Sequence, residues 1–240
     1  SKVFNCVKQD NSGNIWAGTN NGLLKFNGST WQIYNTFNSS LPLNKIRSLA
    51  VDATNKIWIG TFSGGGLASF DGSTWAVYTP TNSGLPNNSV AALSIDNTGV
   101  IWIGTAGGLT TFNGTLWNTY TFANSNLPNN SVHCVAIDSA NKKWIGTNGG
   151  LTSFDGVNWQ TYNSTNSSLP INLVRPIFCV LNNMKWIGTE GAGVVSFDNT
   201  NWTIINSNNS NLHDNFINTV VIDNTGKKWI GTNNGVVVIP

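Results

Sequence analysis

Residues 101–114 read "IWIGTAGGLTTFNG", a glycine-rich loop set between two runs of strand-like residues. Such a loop can cradle a ligand or merely turn a hairpin, and its copies elsewhere in the chain decide between the two. The tetrapeptide W-[IA]-G-T begins at Trp16, Trp58, Trp102, Trp144, Trp186 and Trp229. A second tryptophan follows each of the first five, at Trp31, Trp75, Trp117, Trp159 and Trp202, and these eleven are all the tryptophans of the 240-residue chain. The step from a second tryptophan to the next W-G-T tryptophan is always 27 residues, whereas the step from first to second varies from 15 to 17. Every length change therefore falls in the glycine loop: "NNG", "FSGGG", "AGG", "NGG", "EGAG", "NNG". A phosphate loop needs one occurrence, a lysine and a following helix. Recurrence without helical periodicity makes this a hairpin turn.

A period of 42–44 residues signals a propeller or a solenoid. Within residues 89–122, "SVAALSI", "VIWIGT", "LTTF" and "LWNTYTF" read as four short strands. The turn joining the first two ends on Gly13, Asn55, Gly99, Asn141, Asn183 and Gly226 in the successive units, the residue types that best tolerate positive φ. The third turn carries Asn27-Gly28, Asp71-Gly72, Asn113-Gly114, Asp155-Gly156 and Asp198-Asn199, which predicts type I′ hairpins. The connections Leu41-Pro42, Leu85-Pro86, Leu127-Pro128 and Leu169-Pro170 interrupt pairing and lead to the next unit. These patterns predict an all-β, six-bladed β-propeller over residues 1–240, with blades of four antiparallel strands at about 3–34, 45–78, 89–120, 131–162, 173–205 and 216–240. Stacked blades should sandwich the tryptophans between them. The sixth blade lacks an outer strand, so Val236, Val237, Val238 and Ile239 are predicted to form an open edge. Further residues could complete it, a partner protein could donate a strand, or it could stay three-stranded.

Composition excludes several functions. Only 9% of residues are charged and the net charge is +2, with no basic stripe for nucleic acid. No apolar run approaches the ~18 residues that span a bilayer, so no membrane insertion is expected. Cys6, Cys134 and Cys179 form no CxxC, which argues against a disulfide framework or a zinc knuckle. Cys6 and Cys134 share a small-residue position of the first strand in opposed blades, so free buried thiols are expected. Two histidines with no His-Glu pair at metal spacing predict no metal, no cofactor and no catalysis.

The pattern W-I-G-T-x-x-G-[LV]-x-x-[FI], preceded by V-x-x-[LVI]-x-[IV]-D-x-x-[GN] and followed by W-x-x-Y, resembles the two-component regulator propeller repeat. In that family such repeats build periplasmic sensing domains of hybrid histidine kinases, many tied to polysaccharide use in Bacteroidetes-type bacteria, and also occur in type IX secretion. The resemblance implies an exported bacterial protein, periplasmic or extracellular, with a binding or scaffolding role.

Candidate site residues emerge once the template is subtracted. Asp10, Asp52, Asp96, Asp138 and Asp223 open the first turn, and Asp71, Asp155 and Asp198 the third, where carboxylates bond nearby amides. Glu190 and Asp214 remain. The four tyrosines occupy the W-x-x-Y slot and should pack between blades, whereas Phe62 lies in the longest glycine loop. Phe37 and Phe122 lie in connections that they could staple. The second position of each first strand, expected to line the axis, reads Asn5, Arg47, Ala91, His133, Arg175 and Asn218. Blades 2 and 5 thus contribute both arginines and both lengthened loops. The reading is a mouth for a glycan or small polar ligand built from Arg47, Phe62, His133, Arg175, Glu190, His213 and Asp214. Solvated rim charges are the competing account of the same residues. The alternative function is an assembly role in a secretion system, surface layer or filament, using the propeller face and the open edge.

Overall fold

The computed structural model describes residues 3–179 and 184–240, so Asn183, read as the turn residue of blade 5, lies outside the described residues. The fold is an all-β six-bladed propeller: blades 1–5 have four antiparallel strands and blade 6 has three, with no helix among the described residues. Two compact units divide the chain, Ser1–Tyr120 with blades 1–3 and Thr121–Pro240 with blades 4–6.

In the first unit, blade 1 is β1 (Phe4–Gln9), β2 (Ile15–Thr19), β3 (Gly22–Phe26) and β4 (Trp31–Tyr34). Blade 2 is β5 (Ile46–Val51), β6 (Ile57–Thr61), β7 (Leu67–Phe70) and β8 (Trp75–Tyr78), and blade 3 is β9 (Val90–Ile95), β10 (Ile101–Thr105), β11 (Gly108–Phe112) and β12 (Trp117–Tyr120). In the second unit, blade 4 is β13 (Val132–Ile137), β14 (Lys143–Thr147), β15 (Gly150–Phe154) and β16 (Trp159–Tyr162). Blade 5 is β17 (Val174–Cys179), β18 (Lys185–Thr189), β19 (Val194–Phe197) and β20 (Trp202–Ile205), and blade 6 is β21 (Ile217–Ile222), β22 (Lys228–Thr232) and β23 (Gly235–Ile239).

Each letter of W-x-G-T has a physical duty. The indole of Trp16 donates to Asp10 Oδ2 at 2.8 Å, and the same bond joins Trp58 to Asp52, Trp102 to Asp96, Trp144 to Asp138 and Trp229 to Asp223. The other carboxylate oxygen accepts two turn amides, those of Ser12 and Asn14 in blade 1. Burial alone would raise the Asp10 carboxyl, but the indole, Asn14 and Ser12 donors outweigh it and hold the group below its ordinary value. The glycine permits close approach of β1-type strands: a Cβ on Gly60 would strike Ser48 Oγ and Val90 Cγ1. The threonine hydroxyl closes the glycine loop, as Thr19 Oγ1 donates to Gly22 O at 2.8 Å and accepts the Asn21 amide at 2.9 Å. That loop is a hairpin turn, with positive φ at Gly22, Gly108, Gly150 and Gly235.

Within each unit, inner tryptophans pack edge-on against the next blade. Trp16 meets Phe70 at 6.2 Å, Trp58 meets Phe112 at 6.0 Å, and in the second unit Trp144 meets Phe197 at 6.0 Å. Each of these phenylalanines is stacked in its own blade on the outer tryptophan, Phe70 on Trp75 at 4.5 Å and Phe197 on Trp202 at 3.9 Å. Tyr34, Tyr78 and Tyr162 complete the clusters, and Leu41, Leu85, Leu127, Leu169 and Leu212 from the connections are buried. Removing roughly 200 Å² of indole from water is worth about 5 kcal/mol by area.

Some sequence expectations change. Not every tryptophan is sandwiched: Trp31 is 55% exposed and Trp229 45%, while Trp75, Trp117, Trp159 and Trp202 are half-buried on outer strands. The third turns are four-residue loops rather than type I′ pairs. Positive φ occurs at Gly28 but not at Asn27, whose side chain instead accepts the amides of Ser29 and Thr30. Type I′ needs positive φ at both central residues, and the Asx acceptor supplies another way to turn. Phe37 and Phe122 staple nothing: they are 94% and 70% exposed. The cysteines are free but half-buried, with burial pushing the thiols of Cys6 and Cys179 to about 12.

One departure has a local cause. In four connections an asparagine Oδ1 accepts the amide eight residues earlier, from Thr36, Phe122, Ser164 and Ser207. The equivalent atom of Asn88 is buried without a partner, because the residue eight positions earlier is Pro80, which has no N–H.

Two substitutions test these assignments by urea unfolding followed through tryptophan fluorescence. Asp96→Ala strands a buried indole N–H and the turn amides, and should cost about 2–4 kcal/mol; a loss under 0.5 kcal/mol, roughly the exposed-surface level, would refute the indole–carboxylate role. Pro80→Ser returns a donor to Asn88 and should stabilise by about 1 kcal/mol, whereas destabilisation would show that the ring of Pro80 matters more than the missing bond.

Candidate functional site

The polar residues singled out in the first strands occupy one backbone feature. Register shifts fall between Phe4 and Cys6, Ile46 and Ser48, Val132 and Cys134, and Ile217 and Thr219, leaving Asn5, Arg47, His133 and Asn218 as extra residues without a Cα partner. In blade 3 the shift brackets Ala91, and in blade 5 it spans Arg175 and Pro176. A β-bulge re-aims the extra side chain. Here each lies beside the glycine loop of its own blade, opposite the W-G-T threonine.

In every blade but the third the bulge residue meets the first residue of that loop, 15 positions later in sequence. Asn5 Nδ2 donates to Asn20 Oδ1 at 2.9 Å. Arg47 stands over the ring of Phe62, 5.9 Å from its centroid, and Lys45 Nζ approaches the same ring at 4.7 Å. His133 Nε2 pairs with Asn148 Oδ1 at 2.5 Å, and Asn218 Nδ2 donates to Asn233 Oδ1 at 2.9 Å. Arg175 donates from Nε at 3.2 Å and Nη2 at 2.8 Å to Glu190 Oε2. Blade 3 has Ala91 and Ala106 at these positions.

In the second unit these pairs join into one chain. Arg175 Nη1 lies 2.9 Å from His133 Nδ1. A guanidinium has no acceptor, so Nδ1 must accept and Nε2 must carry the proton donated to Asn148. Asn148, His133, Arg175 and Glu190 thus form a continuous polar row across blades 4 and 5, with the Arg175–Glu190 pair one-third exposed. The row holds a hydrogen-bonded neutral imidazole and a guanidinium compensated by the Oε2 of a carboxylate.

His213 and Asp214 are not brought into this row. His213 is exposed, and Asp214 Oδ1 accepts the Phe216 amide at 2.9 Å. Asn87 and Asn129 cap the amides of Ser89 and Ser131 in the same way, so Asp214 acts as a turn acceptor. Phe122 instead lines a shallow groove of about 460 Å³ with Trp159 and Thr161. Among the described residues no group of three His, Cys, Asp or Glu could hold a metal ion. Sequence reading overlooked Asn20, Asn148 and Asn233 because each loop was read as a unit; the constant offset of 15 from the bulge residue was the available signal.

The profile of the two component regulator propeller family matches residues 1–21, 40–63 and 84–107. No curated protein matches the chain. Among solved structures, the extracellular domain of the hybrid two-component system BT3049 from B. thetaiotaomicron superimposes with a TM-score of 0.84 at 24% identity, over 99% of this chain and 33% of that one. PorZ, a surface component of the type IX secretion system of Porphyromonas gingivalis, gives 0.75 at 18% identity, over 99% of this chain and 38% of that one. Virginiamycin B lyase from Staphylococcus aureus, solved with quinupristin, gives 0.78 at 12% identity, over 100% of this chain and 84% of that one. The chain therefore spans about a third of the sensor and secretion structures it matches, and the likeness establishes the propeller fold.

If the polar row is a site rather than a strut, removing it should leave the fold intact. Arg175→Ala and Glu190→Ala should each change unfolding free energy by less than about 1 kcal/mol, as partly exposed ion pairs do; a loss of 3 kcal/mol, about the buried-pair level, would mark the row as structural.

Proposed function

We propose that this chain is an exported, non-catalytic binding module that takes a glycan or another small polar ligand on the glycine-loop ends of its blades. The observation that carries this reading is the pairing, in five of the six blades, of the bulge residue with the loop residue 15 positions on. The hairpin needs only its glycine, its threonine and the bulge itself. The identities of the paired side chains are left free, yet they run from Asn-Asn through His-Asn and Arg-Glu to Arg-Phe. Variation of polar type on a constant backbone suits ligand recognition. The extracellular domain of BT3049 and the secretion component PorZ support export and a binding or assembly role. No helix among the described residues is long and apolar enough to cross a membrane.

A specific surface favours assembly as the second reading. Val221, Trp229 and Val238 lie in one cross-strand row of blade 6, and all three are more than 40% exposed, while β23 offers an unpaired edge. A strand or sheet from a partner protein would cover both.

A glycan array followed by isothermal titration separates the two. The binding reading expects a saccharide ligand whose affinity falls at least ~10-fold when Arg47, His133 and Arg175 are replaced by alanine together. Unchanged affinity in that variant, or no ligand together with a stable assembly that Trp229→Asp dissolves, would favour assembly instead.

A further inference from the structure

The two bulge arginines have opposite electrostatic settings. Arg175 is neutralised by Glu190 at 2.8 Å. Arg47 is exposed and stands over the ring of Phe62, which Lys45 also approaches. Two cations thus converge on one partly exposed aromatic ring. The backbone holds the arrangement: the Phe62 amide donates to Lys45 O at 3.0 Å, and the β-bulge directs Arg47 to the same end of the sheet.

Among residues 1–120 no acid lies at that end. Residues 1–120 contain four carboxylates, Asp10, Asp52, Asp71 and Asp96. Three follow first strands and one follows a third strand, so all lie at the sheet ends remote from the glycine loops. Each is engaged by its own turn, including Asp52 with Thr54, Lys56 and Trp58, and Asp71 with Ser73 and Thr74. In a chain with only 9% charged residues, a pair of cations on an aromatic platform, with every acid of residues 1–120 at the other sheet ends, is a specific feature.

Resting on the binding reading above, we infer that Lys45, Arg47 and Phe62 form a subsite for an anionic sugar ring. The planar guanidinium takes a carboxylate or sulfate through paired N–H donors, and the ammonium adds a second point charge. Phe62, in the longest glycine loop, offers its ring to the apolar face of the sugar, as aromatic side chains do in polar ligand sites. The anion also relieves the repulsion between the two cations, which the ring alone offsets only weakly.

The test titrates the intact 240-residue chain with digalacturonic acid, a sulfated galactose disaccharide, a neutral galactose disaccharide, and free acetate and sulfate. The acidic disaccharides should bind at least ~10-fold more tightly than the neutral one, and the preference should shrink as salt rises from about 0.05 to 0.5 M. Arg47→Ala and Lys45→Ala should each remove most of that preference, Phe62→Ala should weaken all disaccharides, and Lys8→Ala, at an exposed cation of β1 outside the site, should leave the preference intact. Preference for the carboxylated or the sulfated sugar tells which anion the site was built for, and either supports the inference. Equal binding of neutral and acidic sugars overturns it while leaving the binding module standing. Free acetate or sulfate binding as tightly as the disaccharides also overturns it, because the ring would then contribute nothing. Failure of every sugar at millimolar concentration sinks both readings. The substituted side chains are all exposed, and an unchanged tryptophan emission spectrum checks that each variant is folded.

Discussion

The hydrogen bond from a buried indole to an aspartate six residues earlier is the interaction on which the rest of the structure depends. A four-stranded blade is too thin to bury both faces, so it needs a large side chain that reaches the next blade. Tryptophan supplies the area but carries an N–H that would take back 1–3 kcal/mol if left unpaired in a core. The aspartate that opens the first turn solves both problems, since one oxygen fixes the turn amides and the other takes the indole. Turn and blade contact are thereby locked together at Trp16, Trp58 and Trp144, while Trp102 and Trp229 make the same bond to their turns. In blade 5 the residue six before Trp186 is Val180.

That division of labour frees the opposite end of each sheet. Cohesion rests on the indole, the aromatic pair behind it and the leucine of the connection, all committed to packing. The glycine-loop end is shaped by backbone devices, a bulge and a hairpin closed by threonine, which hold two side chains together whatever their chemistry. A rigid frame with two free positions per blade can be retuned without loss of stability. The contrast between Arg175 with Glu190 and Arg47 with Phe62 shows how far the same geometry can be taken.

The repeat was legible because its signals are local and multiplied. Two tryptophan spacings phase the units, and the Gly/Asn alternation at the first turn matches positive φ at Gly13, Asn55, Gly99, Asn141 and Gly226. Turn type was less legible: Asn27-Gly28 carries the composition of a type I′ pair, yet the asparagine acts as an acceptor and the loop runs to four residues. Site residues were legible one by one but not as pairs, because a bulge leaves no mark in sequence beyond one extra residue in a strand. Arg175 and Glu190 could be placed on one face, whereas their bond depends on that extra residue. Asp214 stood out by a charge outside the acidic template, while its Oδ1 takes an amide as Asn87 and Asn129 do, a bond that charge does not announce.

The most direct test of the indole clamp is hydrogen exchange of the individual indole N–H groups, resolved by nitrogen-15 NMR. The structure requires Trp16, Trp58, Trp102 and Trp144, buried and bonded to aspartate, to exchange only through global unfolding. Trp31, exposed on its outer strand, should exchange orders of magnitude faster. Inner indoles that exchange as fast as Trp31 would mean that the blades are held together by something else.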